Sequence, residues 1–258
     1  MEMNALAILL TTLTSLFSLV GLAPEELLEQ EIRQQLEDVE TLAIRVDATP
    51  NHKLLQGKLD RFRLAGRGLY PLPAVRIDTL DIETDPVDLD MTALRQGRIA
   101  FDHPFQAAFN LMLTQADIDR ALRSPLILDQ LETISISLLG NTVGQMGEAS
   151  LIDPKIRLLE GDRLQFAAVL RNDNTQEQLT IKLTTGLTVV QGTQLQLIEP
   201  CLTANGVEFP FALIESTLTG LSQQYSLTTL EPQGITARIL RLQITDERSE
   251  ERRGGKKG

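Results

Sequence analysis

Tryptophan is absent from the 258 residues, and two tyrosines and eight phenylalanines are the whole aromatic complement. Any interior must therefore be built mainly from aliphatic side chains. One cysteine, Cys201, excludes an intramolecular disulfide and a thiolate-rich metal site. Two histidines, His52 and His103, leave little material for a zinc centre or a histidine-based triad. Positive charge is in deficit: 24 Lys and Arg against 35 Asp and Glu give a net charge of −11. That balance argues against nucleic acid as a partner, because phosphate backbones are bound by dense basic surfaces. No GxGxxG, P-loop, GxSxG or HExxH motif occurs. The absence of a disulfide fits a reducing compartment and equally fits exported bacterial proteins that lack one.

What remains is an ordinary globular composition. Hydrophobic residues make up 42% and charged residues 23%, enough for one large or two small cores and too apolar for wholesale disorder.

Residues 4–22 carry no charge, close to the roughly 20 apolar residues that a bilayer-spanning helix needs. Six Asn, Thr and Ser residues dilute the run. No Lys or Arg precedes it, so the basic flank of an export signal is missing. Three readings stay open: a signal or anchor, an interfacial segment, or a buried helix of the fold. Beyond it, Leu27, Leu28, Ile32, Leu36 and Val39 fall at helical spacing and predict an amphipathic helix over 25–40.

From Leu42 the period becomes two. Leu42, Ile44 and Val46 begin a strand, Lys58 to Gly68 reads as a second, and Tyr70-Pro71-Leu72-Pro73 is expected to break it. Val75, Ile77, Leu80 and Ile82 form the next, with a three-residue step after Ile77 that suggests a bulge. Phe105, Ala107, Phe109, Leu111 and Leu113 give the cleanest alternation. Thr114 with Asp117 predicts a capped helix start. The second half repeats the plan, with strands over 155–159, 164–170, 178–184, 187–190 and 194–198, a helix over 211–224 and a final strand over 235–244. Hairpin-length connections point to an α+β fold in which a curved antiparallel sheet wraps around helices. Residues 246–258 hold no apolar side chain and are expected to be a disordered charged tail.

Candidate chemistry is thin. Asp88 and Asp90 share a strand face and offer oxygen ligands to a hard cation, although a solvated strand face explains them as well. His52 and His103 sit in turns without an acid–nucleophile neighbourhood. Arg45, Arg61, Arg63, Arg67 and Arg76 fall on strands expected to be neighbours. They suit either phosphate or cross-strand pairing with Asp47, Asp60 and Asp78. Long aliphatic faces either seal a core or line an acyl-chain groove, and periodicity does not separate the two.

The segments Val46-Asp47-Ala48-Thr49-Pro50, Leu54-Leu55-Gln56-Gly57-Lys58-Leu59-Asp60-Arg61 and Ala65-Gly66-Arg67-Gly68-Leu69-Tyr70-Pro71-Leu72-Pro73 resemble the LmeA-like phospholipid-binding family. The likeness continues through Leu80-Asp81-Ile82-Glu83-Thr84-Asp85-Pro86-Val87 and Leu113 to Leu122, and is strongest to the branch found in photosynthetic bacteria. The resemblance spans roughly residues 21–244. It implies a tubular lipid-binding (TULIP-like) fold, long helices packed in a highly curved antiparallel sheet around an apolar groove, and no catalytic residues. On this reading the chain divides into an apolar segment over 1–22, a lipid-binding domain over 23–245 and a tail over 246–258.

The expected function is non-enzymatic phospholipid binding at a membrane surface of the cell envelope or periplasm, in lipid transfer or envelope maintenance. No cofactor, metal or nucleic acid is expected. Leu28, Ile32, Leu36, Phe105, Phe109, Leu111 and Leu113 are the candidate lining of the groove, and Arg61, Arg63 and Arg67 the candidate headgroup ligands. The alternatives are an envelope scaffold with a filled core and a lipid hydrolase or acyltransferase.

Overall fold

The computed structural model describes residues 25–96, 98, 100–139, 149–159, 163–224 and 226–245. The apolar segment over 1–22 and the tail over 246–258 lie outside them. The expected α+β class is what is found, with strands predominating and two compact units within the chain.

Of the described residues, unit 1 combines those within 25–113, 191–193 and 227–243. Helix α1 (Glu25–Gln35) leads into β1 (Asp38–Asp47). The helix ends five residues before the expected Glu40, because Glu37 already donates its backbone N–H to Tyr70 and Asp38 pairs with Tyr70 across the sheet. Val39 therefore belongs to a strand, whose pairing outweighs the helical spacing of its side chain. After β2 (Lys58–Leu59) come β3 (Arg61–Leu72) and β4 (Val75–Thr84), then the short β5 (Val87–Asp88) paired with β2. Helix α2 (Met91–Arg95) follows, with the Asp90 carboxylate accepting from the backbone N–H groups of Thr92 and Ala93 at 2.8 and 2.9 Å. Strand β6 (Phe105–Thr114) and the late strand β12 (Ile235–Thr245) complete a five-stranded sheet in the order β1-β3-β4-β6-β12. The first four strands run antiparallel to their neighbours.

Strand β3 does not stop at Tyr70. It runs on through Pro71 to Leu72, with a register irregularity between Leu69 and Leu72. The three-residue step after Ile77 is not a bulge, because the register with β3 is continuous from Arg63↔Glu83 to Leu69↔Ile77, and the step has a counterpart on β3 and on β1. Rows Leu42/Gly66/Leu80/Leu111 and Ile44/Leu64/Ile82/Phe109 face the core. The row Val39/Leu69/Ile77 has the opposite parity and yet is buried in the same core. Gly68, at φ +57, lies where this switch occurs, in a conformation that L side chains rarely adopt. Leu69 then packs over Gly66 so closely that a Cβ there would meet it at 2.7 Å. Phe62 and Leu59 anchor the core with Leu230 and Ile235.

Of the described residues, unit 2 combines those within 114–190, 194–226 and 244–245. Thr114 caps α3 (Gln115–Ala121) through the expected reciprocal box. Asp117 donates its N–H to Thr114 Oγ1 at 3.2 Å, while its carboxylate accepts from Thr114 N at 3.0 Å. Helix α4 (Pro125–Leu139) is the longest described, at 15 residues. Strands β7 (Ala149–Leu159), β8 (Arg163–Asn172), β9 (Gln178–Val190), β10 (Gln194–Ala204) and β11 (Val207–Glu208) form an antiparallel sheet in the order β11-β10-β9-β8-β7. Gly186 does not divide β9: Gly186 pairs with both Arg163 and Ile198, so the strand is continuous. Helix α5 (Phe211–Gln224) has the expected bounds. Ile214, fully buried on α5, packs in one cluster with Leu138, Leu170, Ile181 and Leu202. Among the described residues no helix is long and apolar enough to cross a membrane.

Candidate functional site

Among the described residues the titratable groups single out no catalytic centre. His103 is 78% exposed and lies 3.4 Å from Asp88, whose closer partner is Lys58 at 2.8 Å. Hydrogen bonding to Asp88 raises the Lys58 ammonium above its ordinary value. Asp90 caps α2 and is not aimed with Asp88 at a common centre. No group of three or more His, Cys, Asp or Glu side chains among the described residues is arranged to hold a metal ion. Cys201 is half-buried on β10, beside the register shift with β9.

The apolar candidates divide by burial. Ile32 and Phe105 are each 3% exposed and close the core of unit 1. Leu36 packs against that core while staying half-buried. Leu28 lies on α1. Phe109, Leu111 and Leu113, along the second half of β6, are half-buried and share the core side with Leu80 of β4 and Ile239 of β12. Phe105 and Ala107, at the start of the same strand, are buried. One face thus runs from sealed to half-open along a single strand.

Unit 2 has its own gradient. Leu170, Ile181 and Leu202 are covered, whereas Leu158 with Leu164, and Leu187 with Leu197, are only half-buried further along the sheet.

The arginines lie on the opposite, outer face of the unit 1 sheet. Each of Arg61 and Arg67 meets one acid: Arg61 meets Glu83 at 3.0 Å and Arg67 meets Asp81 at 2.7 Å. Arg63 stands directly opposite Arg45, and the two share Asp47, with Arg45 Nε donating at 2.9 Å and Arg63 Nη2 to the other oxygen. Those two bonds, Arg45 first, hold the Asp47 carboxyl below the ordinary aspartate range. At the other end Arg76 has two acids, Glu40 and Asp78, at 3.0 and 3.1 Å. Cross-strand pairing with Asp47 is thus present through Arg63, whereas Asp78 pairs with Arg76 within β4 and Asp60 bonds Lys53. Pairs this exposed contribute about 0–1 kcal/mol each, so they set charge position more than stability.

A depression of about 530 Å³ opens among these residues. Ala43, Ala65 and Ala108 give it small side chains, Arg45, Arg63, Asp81, Glu83 and Asn110 give it polar ones, and Leu240 adds an apolar wall. Sequence reasoning missed Leu80, Ile239, Leu240 and the alanines. The alanines carry no periodic signal, and only the cross-strand register puts them in one patch.

A family model described as LmeA-like phospholipid-binding matches residues 19–248. No curated protein matches the chain, and no solved structure matches it.

Proposed function

The chain belongs to the LmeA-like phospholipid-binding family, and from that premise we propose that it is a non-enzymatic binder of phospholipid. Acyl chains lie against the half-open aliphatic side of the unit 1 sheet, on Leu80, Phe109, Leu111, Leu113 and Ile239. The observation that carries this reading is the change along β6 from buried Phe105 and Ala107 to half-buried Phe109, Leu111 and Leu113. Transfer of apolar surface out of water supplies roughly 0.8 kcal/mol per buried methylene, and aliphatic walls accept a flexible chain without a fixed orientation. The TULIP-like arrangement of helices in a curved sheet, work at a membrane surface of the cell envelope, and a role in lipid transfer or envelope maintenance belong to the same proposal.

The test is lipid extraction of the purified full chain followed by mass spectrometry, together with uptake of a fluorescent phospholipid from donor vesicles. Co-purifying phospholipid and uptake are expected. Leu111→Asn, which puts a polar group on the half-open face, should reduce uptake about tenfold while the protein stays folded. Neither lipid nor uptake would favour a scaffold with a filled interior. Turnover of lipid that His103→Ala abolishes would restore a hydrolase.

A further inference from the structure

The depression carries its charged side chains on the outer face of the sheet, although Ile44, Leu64, Ile82 and Phe109 of the core-facing rows also line it, and its charges have an order. Reading across the strands, the pairing register puts Arg45 on β1, Arg63 on β3, Glu83 on β4 and Ala108 on β6 in one row. The sequence of charge is two cations, one anion, then a small apolar residue. The next row is Ala43, Ala65, Asp81 and Asn110. All eight line the depression.

The cationic end is under-compensated. Arg45 and Arg63 share the single carboxylate of Asp47. Arg45 engages it through Nε, and Arg63 Nε is buried without a hydrogen-bond partner. Like charges directly opposite on neighbouring strands repel unless an anion is placed between them. A second anion at this position relieves what one carboxylate leaves over, and guanidinium pairs suit the oxygens of a phosphate. Asp81, by contrast, is already met by Arg67 and by Asn110 Nδ2 at 3.1 Å. Glu83 has only the pair with Arg61, with both side chains about half exposed, so a competing cation can exchange with it.

We propose that this depression binds a zwitterionic phosphate-ester headgroup, the phosphate on Arg45 and Arg63 and the ammonium on Glu83. This rests on the phospholipid-binding reading for its ligand class. The charged side chains of the depression lie on the sheet face opposite the acyl-binding side, and a lipid would pass between the faces at the sheet edge formed by β12, where Ile239 is turned to the core and Leu240 to the depression. Adjacent strands are roughly 4.8 Å apart, so the row holds opposite charges about one strand spacing apart, comparable to the separation that a two-carbon bridge gives a phosphate and an amine. The volume falls within the range of roughly 300–1,000 Å³ typical of small-ligand sites. The net charge of −11 disfavours an anionic ligand at long range, whereas a zwitterion carries no net charge to repel. Leu240, 74% exposed beside the site, gives the first methylenes of a tail an apolar contact.

The experiment is titration calorimetry on the full chain with O-phosphoethanolamine, inorganic phosphate, and short-chain phosphatidylethanolamine and phosphatidylglycerol below their micelle concentrations. The two amine-bearing ligands are expected to bind about tenfold tighter than their amine-free counterparts. Arg63→Gln should weaken every ligand about tenfold, and Glu83→Gln should weaken only those with an amine. Asp47→Asn should tighten the phosphate end, Arg61→Gln should tighten the amine end by releasing Glu83, and Arg76→Gln, on the outer face but outside the depression, should change nothing. Equal affinity with and without the amine, or unchanged binding in Arg63→Gln, overturns the site. If lipid is taken up normally while Arg63→Gln and Glu83→Gln have no effect, the site fails and the acyl-binding reading stands. If O-phosphoethanolamine binds as described but no lipid is taken up, the site stands and the acyl-binding reading fails.

Discussion

Units 1 and 2 each present a five-stranded sheet with a dry side built from Leu, Ile, Val and Phe, and they differ on the other side. The outer face of β1, β3 and β4 in unit 1 is a lattice of charge, with Arg45, Arg61, Arg63, Arg67 and Arg76 interleaved with Glu40, Asp47, Asp78, Asp81 and Glu83. The corresponding positions of β9 and β10 in unit 2 are Thr180, Lys182, Thr184, Thr188, Gln194 and Gln196. The inward pattern is shared because any antiparallel sheet must bury one face. The outward pattern is free to vary, and it is there that the two units differ in charge.

The largest expected effects test whether the two interiors are independent. Phe62→Ala, at a site with no exposure, should cost about 3–5 kcal/mol in unit 1. Leu170→Ala, equally buried, should cost about 2–5 kcal/mol in unit 2. Hydrogen exchange read by mass spectrometry, unit by unit, checks the comparison. Protection lost equally in both units by either change would show one cooperative structure. Next, Gly68→Ala should destabilise unit 1 by about 1–3 kcal/mol, because Gly68 has φ +57 and the Glu40 side chain occupies the place of its Cβ. Urea unfolding measures it, and a neutral result would remove the account of the face switch. Thr114→Ala should cost about 1 kcal/mol through loss of the cap on α3, with Thr114→Ser largely restoring it because the hydroxyl both accepts from the Asp117 N–H and donates to the Asp117 carboxylate.

The smallest effect concerns pH. Asp47 and Asp60 are held below the ordinary aspartate range, Asp47 by Arg45 and Arg63, Asp60 by Lys53 and the Thr49 N–H. Folding then favours their ionised forms. The stabilisation is complete above the unfolded value of about 3.9 and is lost as pH falls through the lower folded values. The melting temperature should therefore drop less steeply below about pH 4 in Asp47→Asn with Asp60→Asn than in the unaltered chain. Lys58 has the opposite sign: its contribution is complete below about pH 10.4 and disappears as pH rises through its raised value. Parallel acid limbs in the two proteins would refute the assignment for the aspartates.

Elements set by local chemistry were legible from the chain. The Thr114–Asp117 cap, the alternation from Phe105 to Leu113 and the helix over 211–224 all stand where spacing and capping put them. What failed to read was decided by pairing across the sheet. Val39 continues a helical stripe in sequence, yet Leu69 draws it into β1. Pro71 lacks an N–H and still lies within β3, next to its register irregularity. Helix α2 was missed because it has five residues, too few for a period to show. Among the candidate lipid residues, alternation identified Phe105 and Phe109 alike. Only the packing makes the first buried and the second half-open.

By itself the sequence determined the α+β class, the dry side of the strands with clean alternation such as β6, the poverty of catalytic groups and the likeness to a phospholipid-binding family. Each of these depends on residue type and on spacing within a few positions. Tertiary structure alone decided that Arg45 faces Arg63, that three alanines line one depression with them, and that the core side of β6 is buried at its start and half-buried further along. Those facts depend on register between strands tens of residues apart, and register follows from the sum of all the pairings, which no single stretch of the chain contains.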